Sequence, residues 1–379
     1  MPANKRIIYA VQQVGFAALG AGTLTEVHGV QSCGMNTTFP LEQVFEMGQI
    51  SIYANIEGIP DIELTLEKVL DGYPLIGHHA TKGAPSATLI GRSNQKCIAG
   101  LSIFPDTQDS ASGAPVNTVI MSGMSLSSWN FQFPVDGNFT ESCTLVGNHK
   151  LWFNGSPTVS NLPTFSGAFL NNADEPYAGA ASGNVQRRQN MIFGSAWTNA
   201  SASGYDVNGC VADPDVTILP KGVGGIPGIT SSGINTSDGT EYVAHVTNVS
   251  TSVDLSREAI NELGRKIPYH RFAQFPAQVT TDIEIISVSG DLVSATEAGV
   301  GTYGRNTTDQ TIRIAVKEGT RINLGTKNRL ASVQMGGGDT GGGNVTLTYS
   351  FQNFNDFTVT HWNDVTVALA PVQGGVGGL

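Results

Sequence analysis

The chain has 379 residues, 46 of them glycine, and only 13% are Asp, Glu, Lys or Arg, about half the usual share. Its formal net charge is −11, so the surface as a whole repels phosphates, which argues against a protein that grips nucleic acid. The length suffices for two or three domains, and the abundance of Gly, Ser, Thr and Asn favours strands joined by turns over long helices.

Residues 1–27 read as an N-terminal arm. Its apolar stretch in "YAVQQVGFAALG" is short and interrupted by Gln and Gly, so no membrane insertion is expected, and the chain is read as made in the cytoplasm and unprocessed. A strand from Val30 leads to "EQVFEMG", Glu42 to Gly48, which has the pattern of a short amphipathic helix with Pro40 in its first turn and Gly48 as a left-handed stop. "DIELTLEKV" at Asp61 to Val69 alternates polar and apolar as a half-buried strand does, and "FQFPVDGNFTESCTL" reads as a hairpin turning on Asp136-Gly137. Residues 28–150 thus form a first mainly β domain. Residues 151–240, rich in Gly, Ser, Asn and Pro, read as a loop-rich insertion or a small subdomain. A second domain follows at 241–370, and 371–379 is a flexible tail.

The two domains share a pattern. "EAINELG" at Glu258 to Gly264 repeats "EQVFEMG" at an offset of 216, with Glu42 falling on Glu258, Glu46 on Glu262, Gly48 on Gly264 and Val30 on Val246. In the second copy Leu255, Ala259, Ile260 and Leu263 form an apolar stripe suited to packing on a sheet. After Pro60 and Pro276 the strand phase slips by one residue, which calls for a bulge or an extra loop residue in one copy. Further on, Phe131 falls on Phe351 at an offset of 220. The expected fold is mainly β, with two tandem β-sandwich or barrel domains, each with a short flanking α-helix, and a loop-rich region between them.

Chemistry-bearing motifs do not appear. There is no Gly-x-Ser-x-Gly elbow, no His-Glu-x-x-His and no phosphate-binding glycine loop, so no catalytic residue, metal ligand or cofactor is assigned and an enzyme is not expected. Cys33, Cys97, Cys143 and Cys210 form no CxxC pair and read as buried free thiols. His78-His79 is the one histidine pair, expected in a loop or on the surface. Arg187-Arg188 is a candidate for carboxylate pairing across a subunit contact. The tryptophans Trp129, Trp152, Trp197 and Trp362 would suit a carbohydrate-binding or adhesin-like module, although Trp129 and Trp362 lie in or beside the repeat, where core packing explains them more simply.

The run "VHGVQSCGMNTTFPLEQVFEMGQISIYANIEGIPDIELTLEKVLDGYPL" and its second-copy counterpart "HVTNVSTSVDLSREAINELGRKIPYHRFAQFPAQVTTDIEIISVSGD" resemble the tail tube, or major tail, proteins of tailed bacteriophages. The resemblance implies a β-sandwich with a flanking helix, assembled in the host cytoplasm into six-fold rings that stack as the virion's tail tube, through which double-stranded DNA passes non-specifically. With two tube-like domains per chain, three chains would supply six ring positions. Partners implied are the chain itself, the tape measure, the tail terminator and the distal tail protein. A single-ring distal tail or hub component is the alternative within that group. A conduit must not bind its cargo, and Glu63, Glu67, Asp282 and Glu284, on polar strand faces, are candidates to line the lumen. Glu42, Glu46, Gly48, Glu258, Glu262 and Gly264 are repeat-equivalent candidates for contacts with adjacent domains. The N-terminal arm, the glycine-rich segment from Met335 to Gly343 and the C-terminal tail are candidates for ring stacking.

Overall fold

The structure is a computed structural model. It describes residues 7–105, 111, 113–157, 245–265, 267–286, 320–337 and 343–361, with short pieces at 162–165, 185–188, 191–192, 198–199, 210–211, 309 and 312–316.

The fold is mainly β, and its sheets combine hairpin neighbours with strands far apart in sequence. β1 (Gln12–Ala18), β2 (Thr23–Glu26), β3 (Val30–Thr38), β4 (Leu41–Phe45), β5 (Ile52–Glu57) and β6 (Asp61–Val69) precede two short helices, α1 (Ile76–Ala80) and α2 (Leu89–Ser93). Then come β7 (Cys97–Ile103), β8 (Asn117–Pro134), β9 (Thr140–Gly147) and β10 (His149–Asn154), followed by the short β11 (Thr164–Phe165), β12 (Met191–Ile192), β13 (Thr198–Asn199) and β14 (Cys210–Val211). The remainder comprises β15 (His245–Asp254), β16 (Glu258–Ile260), β17 (His270–Phe272), β18 (Gln278–Ile286), β19 (Arg313–Val316), β20 (Arg321–Asn323), β21 (Arg329–Gly336), β22 (Thr346–Phe354) and β23 (Thr358–Thr360).

β8 is the organising strand. Over its 18 residues it serves two sheets. The first half pairs with β7 and β10, and the second half pairs with β9 and β15. The change of sheet falls at Gly123: Cys97 pairs with Met124 while Ile98 pairs with Ser122, so Gly123 is the bulged residue, at φ 70°. Glycine adopts that conformation without the Cβ penalty of other residues, and a bulge bends the strand.

Through its second half β8 completes a continuous antiparallel sheet in the order β3-β6-β9-β8-β15-β18-β22-β21. This sheet consists of two quartets with one plan. In each, taken in chain order, the strands lie first, second, fourth, third. Both quartets carry a bulge between first and second strands, at Val30/Ser32 and at Val246/Asn248, 216 residues apart. Both carry another between third and fourth, at Leu126/Ser128 and at Leu330/Ser332, 204 apart. The small sheet β12-β19-β20-β23 likewise has the order of β1-β7-β8-β10 on the first-quartet side.

Register explains the one-residue slip. Cys33 pairs with Leu66 and Val249 with Ile283, so the offset is 216 on the first strand and 217 on the second. The connection in the second quartet therefore holds one more residue. The match of Phe131 with Phe351 does not survive: Phe131 lies on a third strand, β8, and Phe351 on a fourth, β22, where its register equivalent is Leu145. Strand patterns repeat every two residues, so two aromatic-rich strands look alike at any even shift.

The inner face of the sheet is packed by one core cluster drawn from both quartets, including Leu64, Trp129, Phe131, Ile283, Tyr349 and Phe351.

The helices expected at 42–48 and 258–264 are instead β-hairpin arms. β4 pairs with β5, closed at its base by the Gly58 N–H donating to the Pro40 carbonyl at 2.7 Å, and β16 pairs with β17. A helix this short is marginal unless it buries an apolar stripe, and here none is buried: Met47 and Leu263 are 101% and 104% exposed. Gly48 (φ 104°) and Gly264 (φ 86°) do take the left-handed conformation, but in turns. Of the expected stripe only Leu255 is buried, and it sits beside β8, where its N–H donates to the Ser127 carbonyl at 2.8 Å.

Candidate functional site

Alternation along the eight strands gives the large sheet an outer face opposite the core. In β6, Ile62, Leu64 and Leu66 are buried while Asp61, Glu63 and Thr65 are exposed, with Glu67 half-buried on the same side. In β18, Val279, Thr281, Ile283 and Ile285 point inward, and Thr280, Asp282 and Glu284 outward. The remaining strands present mainly hydroxyls and amides there, such as Asn36, Ser142, Asn130, Ser250 and Thr348.

The four carboxylates singled out from the sequence, Glu63, Glu67, Asp282 and Glu284, thus share one face of one sheet, joined by Asp61 and Asp254. Among the described residues of these strands, the cation on that face is Arg329, at the edge, with its Nε donating to Asp309 at 2.6 Å. The acids are held by local hydroxyl and amide donors: Ser350 Oγ donates to Asp282 at 2.6 Å and Asn148 Nδ2 to Asp61 at 3.0 Å. Asp61 also pairs with Arg271, which reaches it from β17. Glu67 and Glu284 are register equivalents: Glu67 lies opposite Ser32 and Ser142, Glu284 opposite Asn248 and Thr348. Glu63 and Asp282 have Thr280 and Thr65 as their equivalents.

The repeated residues Glu42, Glu46, Gly48, Glu258, Glu262 and Gly264 all lie on the two hairpin arms. Three of their carboxylates make local contacts: Gln49 Nε2 donates to Glu46 at 2.8 Å, Gln274 Nε2 to Glu258 at 3.4 Å, and Arg265 sits 3.6 Å from Glu262. The arms also expose Phe39, Phe45, Met47, Ile50, Leu263 and Ile267, an apolar display that the helical reading concealed.

Arg187 and Arg188 flank the β8–β9 turn. Arg187 Nε donates to Asn138 Oδ1 at 2.9 Å, and Arg188 lies 3.8 Å from Asp136, both at the surface. The histidine pair is buried, contrary to the loop or surface place expected: His78 and His79 lie on α1, with His78 Nε2 3.3 Å from the Val359 carbonyl and its ring edge-on to Trp129. Burial, reinforced by Lys82, Lys68, His78 and His28, pushes the His79 imidazole down to about 3.

One buried carboxylate went unnoticed in the sequence. Glu141 accepts the backbone N–H of Ile76 at 2.8 Å and of Gly77 at 2.9 Å, together with Trp129 Nε1 at 2.7 Å. It fixes the start of α1 to β8 and β9. Desolvation raises its pKa, opposed by those hydrogen bonds. The register equivalent in the second quartet is Leu347, so the polar anchor belongs to the first quartet alone. Trp129 is therefore core and no sugar platform, Trp152 is exposed, and Trp197 and Trp362 lie outside the described residues. The segment from Met335 to Gly343 lies only partly within them, and the C-terminal tail wholly outside.

Among the described residues, β3 and β21 each have a single strand partner, so the sheet ends in two open edges. Beside β3 lies a groove of about 320 Å³ lined by Tyr9, Val14, Val27, Val30 and Cys33. No known family model matches the chain, and no curated protein does. Among solved structures, the chain has a likeness to a component of the anti-feeding prophage (AFP) baseplate, a 6-fold symmetrised cryo-EM structure. Identity is 14% and the TM-score 0.29, over 40% of this chain and 97% of that one.

Proposed function

We propose that this chain is a non-enzymatic structural protein of a phage virion. It closes into rings that stack as a tail tube, with the outer face of the eight-stranded sheet turned to the lumen. The observation that carries this reading is the sheet itself: two quartets with one strand order and the same pair of bulges, ending in two open edges. A unit with unlike surfaces at its two ends associates head to tail and forms a ring when the rotation closes. With two quartets per chain, three chains give pseudo-six-fold symmetry.

The face chemistry supports a conduit. Among the described strand residues, this wall of hydroxyls and amides studded with carboxylates carries one cation, Arg329, which is held at the edge by Asp309, so it offers phosphates little to bind and double-stranded DNA slides past it. Glu67 and Glu284, at equivalent positions, put six carboxylates at one level of such a ring. The exposed apolar arms are suited to contacts between stacked rings, and the tape measure, tail terminator and distal tail protein are the partners this role requires, met during assembly in the host cytoplasm.

The test is negative-stain electron microscopy of the purified chain over a concentration series. Hollow rings or stacked tubes are expected, and a chain that stays monomeric at high concentration, alone and with a tail-tip initiator, refutes the assignment.

A further inference from the structure

We infer that β21 of one chain pairs antiparallel with β3 of a second copy, in a register that sets Gln334 opposite Asn36. The inference rests on the ring reading for the number of chains, but the pairing itself is drawn from the seam between β8 and β15. That seam already joins the third strand of one quartet to the first strand of the next. Its register sets Phe131 opposite Thr251, Asn130 opposite Ser252, Trp129 opposite Val253 and Ser128 opposite Asp254. The third strands β8 and β21 are equivalent at an offset of 204, and the first strands β15 and β3 at 216, both marked by shared bulges. Carrying the seam across these offsets places Met335 opposite Met35, Gln334 opposite Asn36, Val333 opposite Thr37 and Ser332 opposite Thr38.

Burial at matched positions says that both edges are incomplete. Phe131 is 1% exposed in the seam, and its counterpart Met335 is 67% exposed at the edge. Leu255 is 0% exposed, and its counterpart Phe39 is 66% exposed. Val249 and Thr251 are buried in β15, whereas Cys33 and Met35 at the same places in β3 are only half-buried. A second copy seated in the seam register covers each of these, and the Phe39 N–H gains the Ala331 carbonyl as the Leu255 N–H has that of Ser127. Three chains joined this way continue the sheet through 24 strands without an edge.

The seam also selects the test. Val135 donates to the Thr247 carbonyl and Leu255 to that of Ser127, each at 2.8 Å, so the hydrogen-bonded pairs include those inward-facing residues that lie between them in step. Asn130 and Ser252 then form a non-hydrogen-bonded pair, in which Cα atoms stand about 4.5 Å apart, within disulfide reach. The same holds for Gln334 with Asn36 and for Ser332 with Thr38, whereas Gln334 and Thr38 lie diagonally, about 7–8 Å apart and out of reach.

In full-length protein with Cys33 and Cys210 replaced by serine, Gln334→Cys/Asn36→Cys and Ser332→Cys/Thr38→Cys would be oxidised after assembly, with Gln334→Cys/Thr38→Cys as the slipped control. Both in-register pairs are expected to shift the chain to a covalent trimer on a denaturing gel, reversed by reductant, while the control stays monomeric. Linking by the control alone overturns the register. Rings seen by microscopy with no link from any pair overturn the edge pairing and leave the ring reading standing. Neither rings nor links overturn both.

Discussion

The seam within the chain and the two edges at its ends are built from equivalent strands, yet one is dry and the others are wet. At the seam Trp129, Phe131 and Leu255 are buried; at the edges Val333, Met335 and Phe39 take the same places half-buried or exposed. The side chains at the edges remain apolar although the isolated chain gives them little to pack against. Natural edge strands are commonly defended by charge, proline or a bulge that turns the edge away, and the Ser332–Gly336 and Cys33–Thr38 stretches carry no charged residue. The difference shows what the edges lack: a neighbour, placed as the seam places one.

That contrast can be broken from the seam side first. Phe131→Ala removes a fully buried ring from the centre of the seam strand and is expected to cost about 3–5 kcal/mol in denaturant unfolding of the isolated chain. Glu141→Ala leaves the Ile76, Gly77 and Trp129 donors without an acceptor. It is expected to cost about 3 kcal/mol by the same measurement, and Leu347→Met, at the second quartet's equivalent position, less than about 1.5 kcal/mol.

Titration sharpens the comparison, because the Ser332–Gly336 and Cys33–Thr38 stretches carry no group that titrates between pH 3 and 7, the Cys33 thiol being pushed up to about 11 by burial. His79 is held neutral with a folded pKa of about 3, below the ordinary imidazole value of 6.5. The stability this gives is full above pH 6.5 and lost as pH falls towards 3, by up to about 5 kcal/mol. Glu26, desolvated against a weaker hydrogen bond from Gln13, is raised from 4.5 to about 7. Its sign is opposite: the stability is full below pH 4.5 and lost as pH rises through 7, by up to about 3 kcal/mol. Unfolding across this range should show His79→Gln flattening the acid limb and Glu26→Gln the neutral limb. The smallest effects on the isolated chain belong to the edges: Met335→Ala and Phe39→Ala should each change its stability by no more than about 0.5 kcal/mol while weakening ring formation in sedimentation.

Much of this was legible in period-two patterns. "DIELTLEKV" gives both the core face of β6 and the outward Glu63 and Glu67, and the Asp136-Gly137 turn joins β8 to β9 as its residues dictate. The offset of 216 marks the matched first strands. The arms misled because Leu255, Ala259 and Leu263 have helical spacing, whereas the strand that pairs with β16 lies at His270–Phe272, beyond any local window. Glu141 could not be foreseen as buried, since its three donors come from α1 and β8. The open edges were equally hidden: an edge is the absence of a long-range pairing, and no residue pattern states it.

The central claim is that one chain supplies two of six equivalent ring positions, and the mass of the smallest closed ring tests it most directly. Native mass measurement on rings isolated after assembly should give about 119 kDa, three times the 39.8 kDa of the chain. A ring of six chains, or a closed dimer, would contradict it, because the seam and the inter-chain junction could not then share one geometry.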